Sequence, residues 1–478
     1  MDSNDSPLNM VEDVAAGDVD YHMRLSQLRQ FISGHSLTKE EYRYIKILLS
    51  RVNTDIISEL PIELVEQISE LLDLSDFVTC LAVSKRWRDK FLSTPIINSI
   101  TDRFHPSLRQ MSKGTPLDPN ECLKILHTIG RLRQPRLEST LEKSFSWQYE
   151  SYFKLDPDYH GHHEDTSAAY AQFDCQFDHE QDPSAHGTAL YSNGKIAWRP
   201  SPRIIVVDNL WSRTRKVFTS PHGPLVHPDC KLRALGDRLV IASVDRLLIA
   251  WDHTTNICLE KKLPRYMKGV TTKGLRVAIT TFNRDVFLWE FGGQLSMLST
   301  TPITDHHNFN NEFIKCWEYN LYVIFHPACD GKLFLASGYT DTSNSKSIVK
   351  RMVYEFDNTN HVATFEFEIP SKASRKEDTF SIIQIRKGMP YCRDIIGFRG
   401  VYWKEGPETS TRVTDNLVEF DIYDRKFFDR TDEESDTSRK FGWFSKRRQG
   451  DMDFLLRFHD RGFTAYSPQP GFDFGIGE

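Results

Sequence analysis

Leu247-Leu-Ile-Ala-Trp-Asp252 is an apolar run closed by an acidic residue, and after a short polar turn Cys258-Leu-Glu-Lys261 resumes the apolar texture. Four other stretches repeat the pattern. Ile204-Ile-Val-Val-Asp208 precedes Lys216-Val-Phe218, and Val286-Phe-Leu-Trp-Glu290 precedes Leu295-Ser-Met-Leu298. Val353-Tyr-Glu-Phe-Asp357 precedes Ala363-Thr-Phe-Glu-Phe367, and Leu417-Val-Glu-Phe-Asp421 precedes Phe427-Phe428. Short runs rich in Val, Ile, Phe, Tyr and Trp, punctuated by turn residues, predict strands. An upstream strand belongs to each unit, as in Arg238-Leu-Val-Ile-Ala242 and Leu275-Arg-Val-Ala-Ile-Thr-Thr281. The closing acids lie 44, 38, 67 and 64 residues apart. The first two intervals match a four-stranded repeat of about 40–45 residues, and the longer two imply insertions.

This arrangement resembles a degenerate WD-repeat β-propeller, with Trp251-Asp252 as its best dipeptide. The Gly-His pair that usually opens such a repeat is missing. About 340 residues at that repeat length imply six to eight blades, of which five units register in the sequence. A β-sandwich or another array of hairpins is the alternative, but ring closure leaves no long free strand edge.

The front of the chain has a different period. Residues 1–20 read as a disordered tail and residues 21–57 as a helical lead, in which Thr38-Lys-Glu-Glu41 is a capping box ahead of Tyr42, Ile45, Leu48 and Leu49. From Ser58 the pattern sharpens. Pro61 suits the first turn of a helix, and Leu64, Ile68, Leu71 and Leu72 then line one face. Ser75 and Ser84 suit the caps of two further short helices carrying Phe77, Leu81, Val83 and Trp87. Three short helices make a very small core, so the unit needs a neighbour or partner to cover its apolar faces. Asp118-Pro119 starts another helix, with Leu123, Leu126 and Ile129 on one face before Gly130.

Leu60-Pro61, Glu63-Leu64, Ile68, Leu71-Leu72 and Leu81-Ala-Val-Ser84-Lys-Arg-Trp87-Arg88 together resemble an F-box. The chain therefore divides into the tail, the lead, an F-box at 58–102, a helical linker at 103–136 and a WD-repeat-like propeller at 137–478. The fold class is multidomain, α then β.

Composition is neutral on partners. Of 478 residues, 60 are Lys or Arg and 66 Asp or Glu, a net charge of −6 that gives nucleic acid no bulk attraction. Hydrophobic residues make up 39%, enough for a large core. No stretch approaches the roughly eighteen apolar residues of a membrane span, and the acidic start Met1-Asp-Ser-Asn-Asp lacks a signal-peptide pattern. Nucleic acid and membrane are thus not expected as partners, and localisation is expected to be cytoplasmic, nuclear or both. The eight Cys include no C-x-x-C, so they read as isolated thiols in a reducing compartment.

No phosphate-binding loop, dinucleotide fingerprint, H-E-x-x-H or G-x-S-x-G is present, so no catalytic residue and no cofactor are assigned. His160-Gly-His162-His163-Glu164-Asp165, with Cys175 and His179, is the densest ligand-type cluster and could hold zinc; no ligand pair sits on a predicted rigid element, so a polar, mobile loop is the preferred reading and no metal site is assigned. Arg439-Lys440 and Lys446-Arg-Arg448 read as a nuclear-import signal or a loop of mixed charge. Arg199, Arg203, Arg213 and Arg215 could clamp an acidic or phosphorylated segment, or simply face solvent.

The F-box resemblance implies a non-catalytic substrate receptor of an SCF-type ubiquitin ligase. In that family the box docks on the Skp adaptor, which links it to a cullin scaffold, while the carboxy-terminal domain captures the target protein. Carried over by position, the adaptor-binding residues would be Leu60, Pro61, Leu64, Ile68, Leu71, Leu72, Leu81, Val83, Ser84 and Trp87. Some of these, Leu81 and Trp87 in particular, could instead hold the helices together. The alternative is an adaptor-bound scaffold or trafficking protein without a degradative role, which would retain the adaptor and lack the cullin.

Overall fold

Helix starts in the amino-terminal region follow from a few polar residues and one proline. The computed structural model describes residues 38–40, 43–44, 55–105, 108, 118–133, 142–147, 152–156, 189–201, 204–219, 230–299, 320–341, 348–370, 379–386, 395–405, 410–429, 448–451, 453–459, 461–467, 469 and 472–475. Among them are six helices: α1 (Ile56–Glu59), α2 (Ile62–Leu71), α3 (Leu74–Val83), α4 (Lys85–Phe91), α5 (Thr94–Phe104) and α6 (Pro119–Arg133). Pro61 takes the cap of α2, one place earlier than expected, with an extended ψ of 148°. Asp73, not Ser75, caps α3: its Oδ1 accepts the Asp76 N–H at 2.8 Å, and the Ser75 hydroxyl bonds the same oxygen at 3.0 Å. A carboxylate also answers the positive end of the helix dipole, which a serine does not. Ser84 caps α4 as expected, accepting from Trp87 N at 3.1 Å. Gly130 does not end α6, which runs on to Arg133.

The helices share one core of Val65, Leu74, Phe77, Leu81, Phe91, Ile96, Ile100, Phe104 and Leu126. Phe77 and Phe91 meet edge to face at 5.6 Å. Because α6 contributes Leu126, the core draws on residues well beyond the three short helices.

The described residues beyond α6 form six sheets. After β1 (Glu142–Ser146) and β2 (Lys154–Leu155), blade 1 is β3 (Ala189–Ser192), β4 (Lys195–Ser201), β5 (Ile204–Asn209) and β6 (Thr214–Thr219), with β2 added in parallel to β6. Blade 2 is β7 (Lys231–Leu235), β8 (Leu239–Val244), β9 (Leu247–Asp252) and β10 (Ile257–Lys262). Blade 3 is β11 (Met267–Lys273), β12 (Arg276–Thr281), β13 (Val286–Glu290) and β14 (Leu295–Leu298). Blade 4 is β15 (Asn320–Phe325), β16 (Lys332–Asp341), β17 (Ile348–Asp357) and β18 (Asn360–Pro370). Blade 5 is β19 (Thr379–Arg386), β20 (Ile395–Glu405), β21 (Ser410–Asp421) and β22 (Lys426–Asp429). Blade 6 is β23 (Arg448–Gly450), β24 (Leu455–His459), β25 (Gly462–Tyr466) and, as its outer strand, β1.

Each blade is an antiparallel meander, and the apolar cores lie between blades. Separate clusters unite blades 6 and 1, 1 and 2, 2 and 3, 3 and 4, and 4 and 5. That is a propeller-type architecture, with side chains of successive sheets packed face to face. Blade 6 joins the two ends of the strand-rich region: Glu142 pairs with Tyr466 and Ser146 with Gly462, and Phe145 stacks on Phe463 at 4.9 Å.

The repeated acids fall at or next to the ends of third strands, and two of them organise the turn that follows. Asp252 Oδ1 accepts from Thr254 N at 2.9 Å, and Asp421 Oδ1 accepts from Tyr423 N and Asp424 N at 2.8 and 3.0 Å. Asp208 is fully buried, accepting from Trp198 Nε1 at 2.9 Å and pairing with Arg215 at 2.6 Å.

Candidate functional site

Two stripes run along α2. Val65 and Ser69 are buried, and the Ser69 hydroxyl is satisfied by the Glu66 carbonyl at 2.7 Å. Pro61, Leu64, Ile68 and Leu71 recur at spacings of three and four on the other side. Leu71 is 86% exposed and Leu64 43%, while Ile68 is half-buried. Val83, at the end of α3, is 57% exposed. On a helical unit this small, Leu64, Leu71 and Val83 are apolar area left exposed among the described residues.

The remaining candidates point inward or serve the backbone. Leu81 is buried, and Leu60, Leu72 and Trp87 are half-buried against the helical core. Thus Leu72, expected on one face with Leu64, Ile68 and Leu71, belongs to the packed side. Trp87 lies 6.0 Å from Phe91 between ring centres and donates its indole N–H to Asp55 at 2.5 Å. Ser84 is spent as a cap.

Two cations hold the ends of α2, and sequence reading passed over both. Lys90 Nζ donates to the Ser58 carbonyl at 2.8 Å and to that of Leu60. Arg103 Nη1 donates to the Leu72 carbonyl at 2.8 Å and to that of Glu70. Cations are favoured at helix C-terminal carbonyls, but these arrive from some thirty residues away, so no local spacing announces them.

In the propeller, the buried carboxylates are committed to the fold. Glu355 pairs with Lys332 at 3.0 Å and Arg425 at 2.9 Å, and Asp252 pairs with Arg238. His253 and His326 are held neutral at physiological pH. Burial pushes each imidazole down to about 4, helped by the Lys195 charge at His253 and the Lys332 charge at His326. Among the described residues of the first blade, Arg215 is buried on Asp208, Arg213 donates to the Asp473 carbonyl at 2.9 Å, and Arg199 donates to that of Cys230. A cleft of about 500 Å³ opens between blades 3 and 4, lined in part by Arg276, Leu288, Trp289, Phe325 and Asn358.

Among the described residues no group of His, Cys, Asp and Glu could hold a metal ion, and no helix is long and apolar enough to cross a membrane. The His160–Asp165 cluster with Cys175 and His179, Arg203, most of the basic run at 439–448, and most of the helical lead with Glu41 lie outside the described residues.

Residues 57–98 match the F-box domain family. A search of curated proteins gives no match. Among solved structures, the N-terminal domain of Nup159 is similar at 9% identity and a TM-score of 0.28, covering 58% of this chain and 74% of that one. BamB from Moraxella catarrhalis is similar at 10% identity and 0.27, covering 58% and 95%. A complex of KlAtg21 with the coiled coil of AgAtg16 is similar at 10% identity and 0.31, covering 59% and 93%. At these TM-scores the likenesses add nothing to the fold described above.

Proposed function

We propose, starting from a chain that carries an F-box domain at residues 57–98 ahead of a propeller-type region with six described sheets, that this protein is a substrate receptor of an SCF-type ubiquitin ligase. The F-box docks on a Skp-type adaptor and, through it, on a cullin scaffold; the propeller holds the target protein. The observation that carries the reading is the apolar stripe of the cap residue Pro61 with Leu64, half-buried Ile68 and Leu71 of α2, together with exposed Val83. Apolar side chains left in water on a small helical unit gain about 25 cal/mol for each Å² that a partner covers. Leu60, Leu72, Leu81, Ser84 and Trp87 support that surface from behind by fixing the helices that present it.

Such a receptor needs no reactive group. Holding a target lysine near a charged conjugating enzyme raises its effective concentration and turns an encounter between two molecules into a step within one assembly. The chain acts in the cytoplasm, the nucleus or both.

The test is affinity purification of the full chain, as wild type and as Leu64→Asp/Leu71→Asp, with the proteasome inhibited. Adaptor and cullin are expected to disappear from the variant while the propeller keeps its melting transition. Retention of both proteins by a folded variant would overturn the assignment. Adaptor without cullin in the wild type would replace it by a non-degradative scaffold.

A further inference from the structure

On one end of the propeller, where second strands turn into third strands and fourth strands pass to the next blade, blades 2 and 3 present two aromatic rings to water. Tyr266, in the link between β10 and β11, is 60% exposed, and Phe282, at the start of the β12–β13 turn, is 63% exposed. The Phe282 N–H donates to the Tyr266 carbonyl at 3.3 Å, so the rings spring from adjoining backbone. The Arg246 guanidinium, from the β8–β9 turn, lies 5.8 Å from the Tyr266 ring centre and donates to the Pro264 carbonyl at 3.3 Å. Arg265 pairs with Asp285 at 3.1 Å and keeps about half of its side chain, 49%, in water.

This platform is fixed before any partner arrives. Thr281 N donates to the Asp285 carbonyl and Arg284 N to the Thr281 carbonyl, both at 3.0 Å, and Asp285 N donates to the Thr281 hydroxyl at 3.1 Å. Leu263 N reaches the Arg246 carbonyl at 2.8 Å. Asp245 and Arg284 hold φ of 51° and 70°, left-handed values that residues with a side chain adopt only when their surroundings enforce them. On the neighbouring blade, the pairs Tyr339–Lys350, Thr340–Val349 and Asp341–Ile348 carry β16 and β17 beyond the end of β15, roughly 10 Å by strand rise, raising a wall on the same end.

A single exposed hydrophobe needs no explanation. Two exposed rings on a stiff platform among arginines have the composition of a binding hot spot. Charge selects the partner. On blades 2 and 3, Lys262, Arg246, Arg265 and Arg284 stand here against Asp245 and Asp285, a cationic excess confined to these two blades because on the blade-4 wall Lys350 is matched by Glu366 and Glu368.

We propose that this surface binds an acidic linear segment of a partner protein. One apolar or aromatic residue of that segment seats on Tyr266 and Phe282, and its carboxylates pair with Arg246 and Arg265, whose planar guanidinium forks suit bidentate contact. The assignment rests on the propeller being the half that captures a protein.

The probe is a random-peptide display library selected on the immobilised full chain. Enrichment of Asp- and Glu-rich sequences around an apolar residue is expected. A synthetic peptide of the enriched sequence should bind at least tenfold more weakly to Tyr266→Ala/Phe282→Ala and to Arg246→Glu, and more weakly still as salt rises. Thermal melting of each variant accompanies the measurement, and Phe282→Ser alone replaces the double variant if that one melts early. No enrichment, enrichment of neutral or basic sequences, or unchanged affinity in folded variants would overturn the proposal. Adaptor capture is read separately through Leu71, so failure here leaves the F-box reading standing and failure there leaves this one measurable.

Discussion

Leu71 and Leu81 are the same residue type on neighbouring helices, and they should fail in opposite ways. Leu71 is 86% exposed and Leu81 5%. Truncating Leu71 to Ala removes three carbons that face water in the free chain, so the fold should change by no more than about 0.5 kcal/mol. If a Skp-type adaptor buries that side chain, the loss at about 0.8 kcal/mol per methylene is about 2 kcal/mol, roughly a thirtyfold weaker complex. Truncating Leu81 instead opens a cavity among Leu74, Phe77 and Phe91 and should cost the helical unit about 2–5 kcal/mol. The assay pairs calorimetric titration of purified adaptor into the full chain with a thermal melt followed by helical ellipticity. Leu71→Ala should weaken binding with an unmoved helical transition, and Leu81→Ala should lower that transition first. An adaptor affinity within twofold of wild type for Leu71→Ala, or a drop in melting matching that of Leu81→Ala, would refute the division of α2 and α3 into a docking side and a packing side.

Three further expectations concern the propeller. A Cβ placed on Gly462 would lie 1.9 Å from the Phe145 carbonyl oxygen, a backbone atom that can move only by opening the β1–β25 pairing; Gly462→Ala should therefore lower the melting temperature and raise hydrogen exchange at residues 142–146, and unchanged exchange there would count against the clasp. Removing Asp208 alone leaves the Arg215 charge buried and should cost about 3–5 kcal/mol, while Asp208→Leu with Arg215→Met should recover most of it in denaturant titrations. Burial, and then the Asp451 charge, push the Asp453 carboxyl from an ordinary 3.8 up to about 6, so the folded state holds this proton more tightly than the unfolded chain. The stability it contributes is complete below about pH 4 and is lost as pH rises to about 6. Asp453→Asn should accordingly raise the melting temperature more at pH 7 than at pH 4, and an equal effect at both would contradict the assignment.

Five of the six described blades are legible in the sequence because an acid recurs at or next to the end of each third strand, although only at Asp252 and Asp421 does its carboxylate accept from backbone N–H groups of the following turn. Asp208, Asp252, Glu290, Asp357 and Asp421 all lie at that place. The sixth blade breaks both cues. Its third strand ends at Tyr466 followed by Ser467, whose hydroxyl bonds the Asp453 carbonyl at 3.1 Å, so no acid marks it. Its outer strand stands at residues 142–146, far upstream of the three strands it completes. A repeat search compares neighbouring stretches, whereas this blade is assembled by closure of the chain on itself. The longer intervals after Glu290 and Asp357 have a partly local cause: β16, β17 and β18 run to 10, 10 and 11 residues, and β20 and β21 to 11 and 12.

The apolar positions of α2 were legible in the sequence but their orientation was not, and the reason lies in what packs against α2. Periodicity marks Leu64, Val65, Ile68, Leu71 and Leu72 as apolar positions of one helix without deciding which of them face inward. That choice is made by Ile96 and Ile100 of α5 and Leu126 of α6, which share one core with Val65 and Phe77. Arg103 then pins the carboxy-terminal carbonyls of α2, and Lys90 the backbone just ahead of it. The uncovered stripe is therefore a residue of packing: it consists of the apolar positions that the later helices cannot reach. Any substitution that lets α2 rotate, Arg103→Gln included, should bury part of that stripe, and if a Skp-type adaptor docks there its affinity in calorimetric titration should fall although no contact residue had changed.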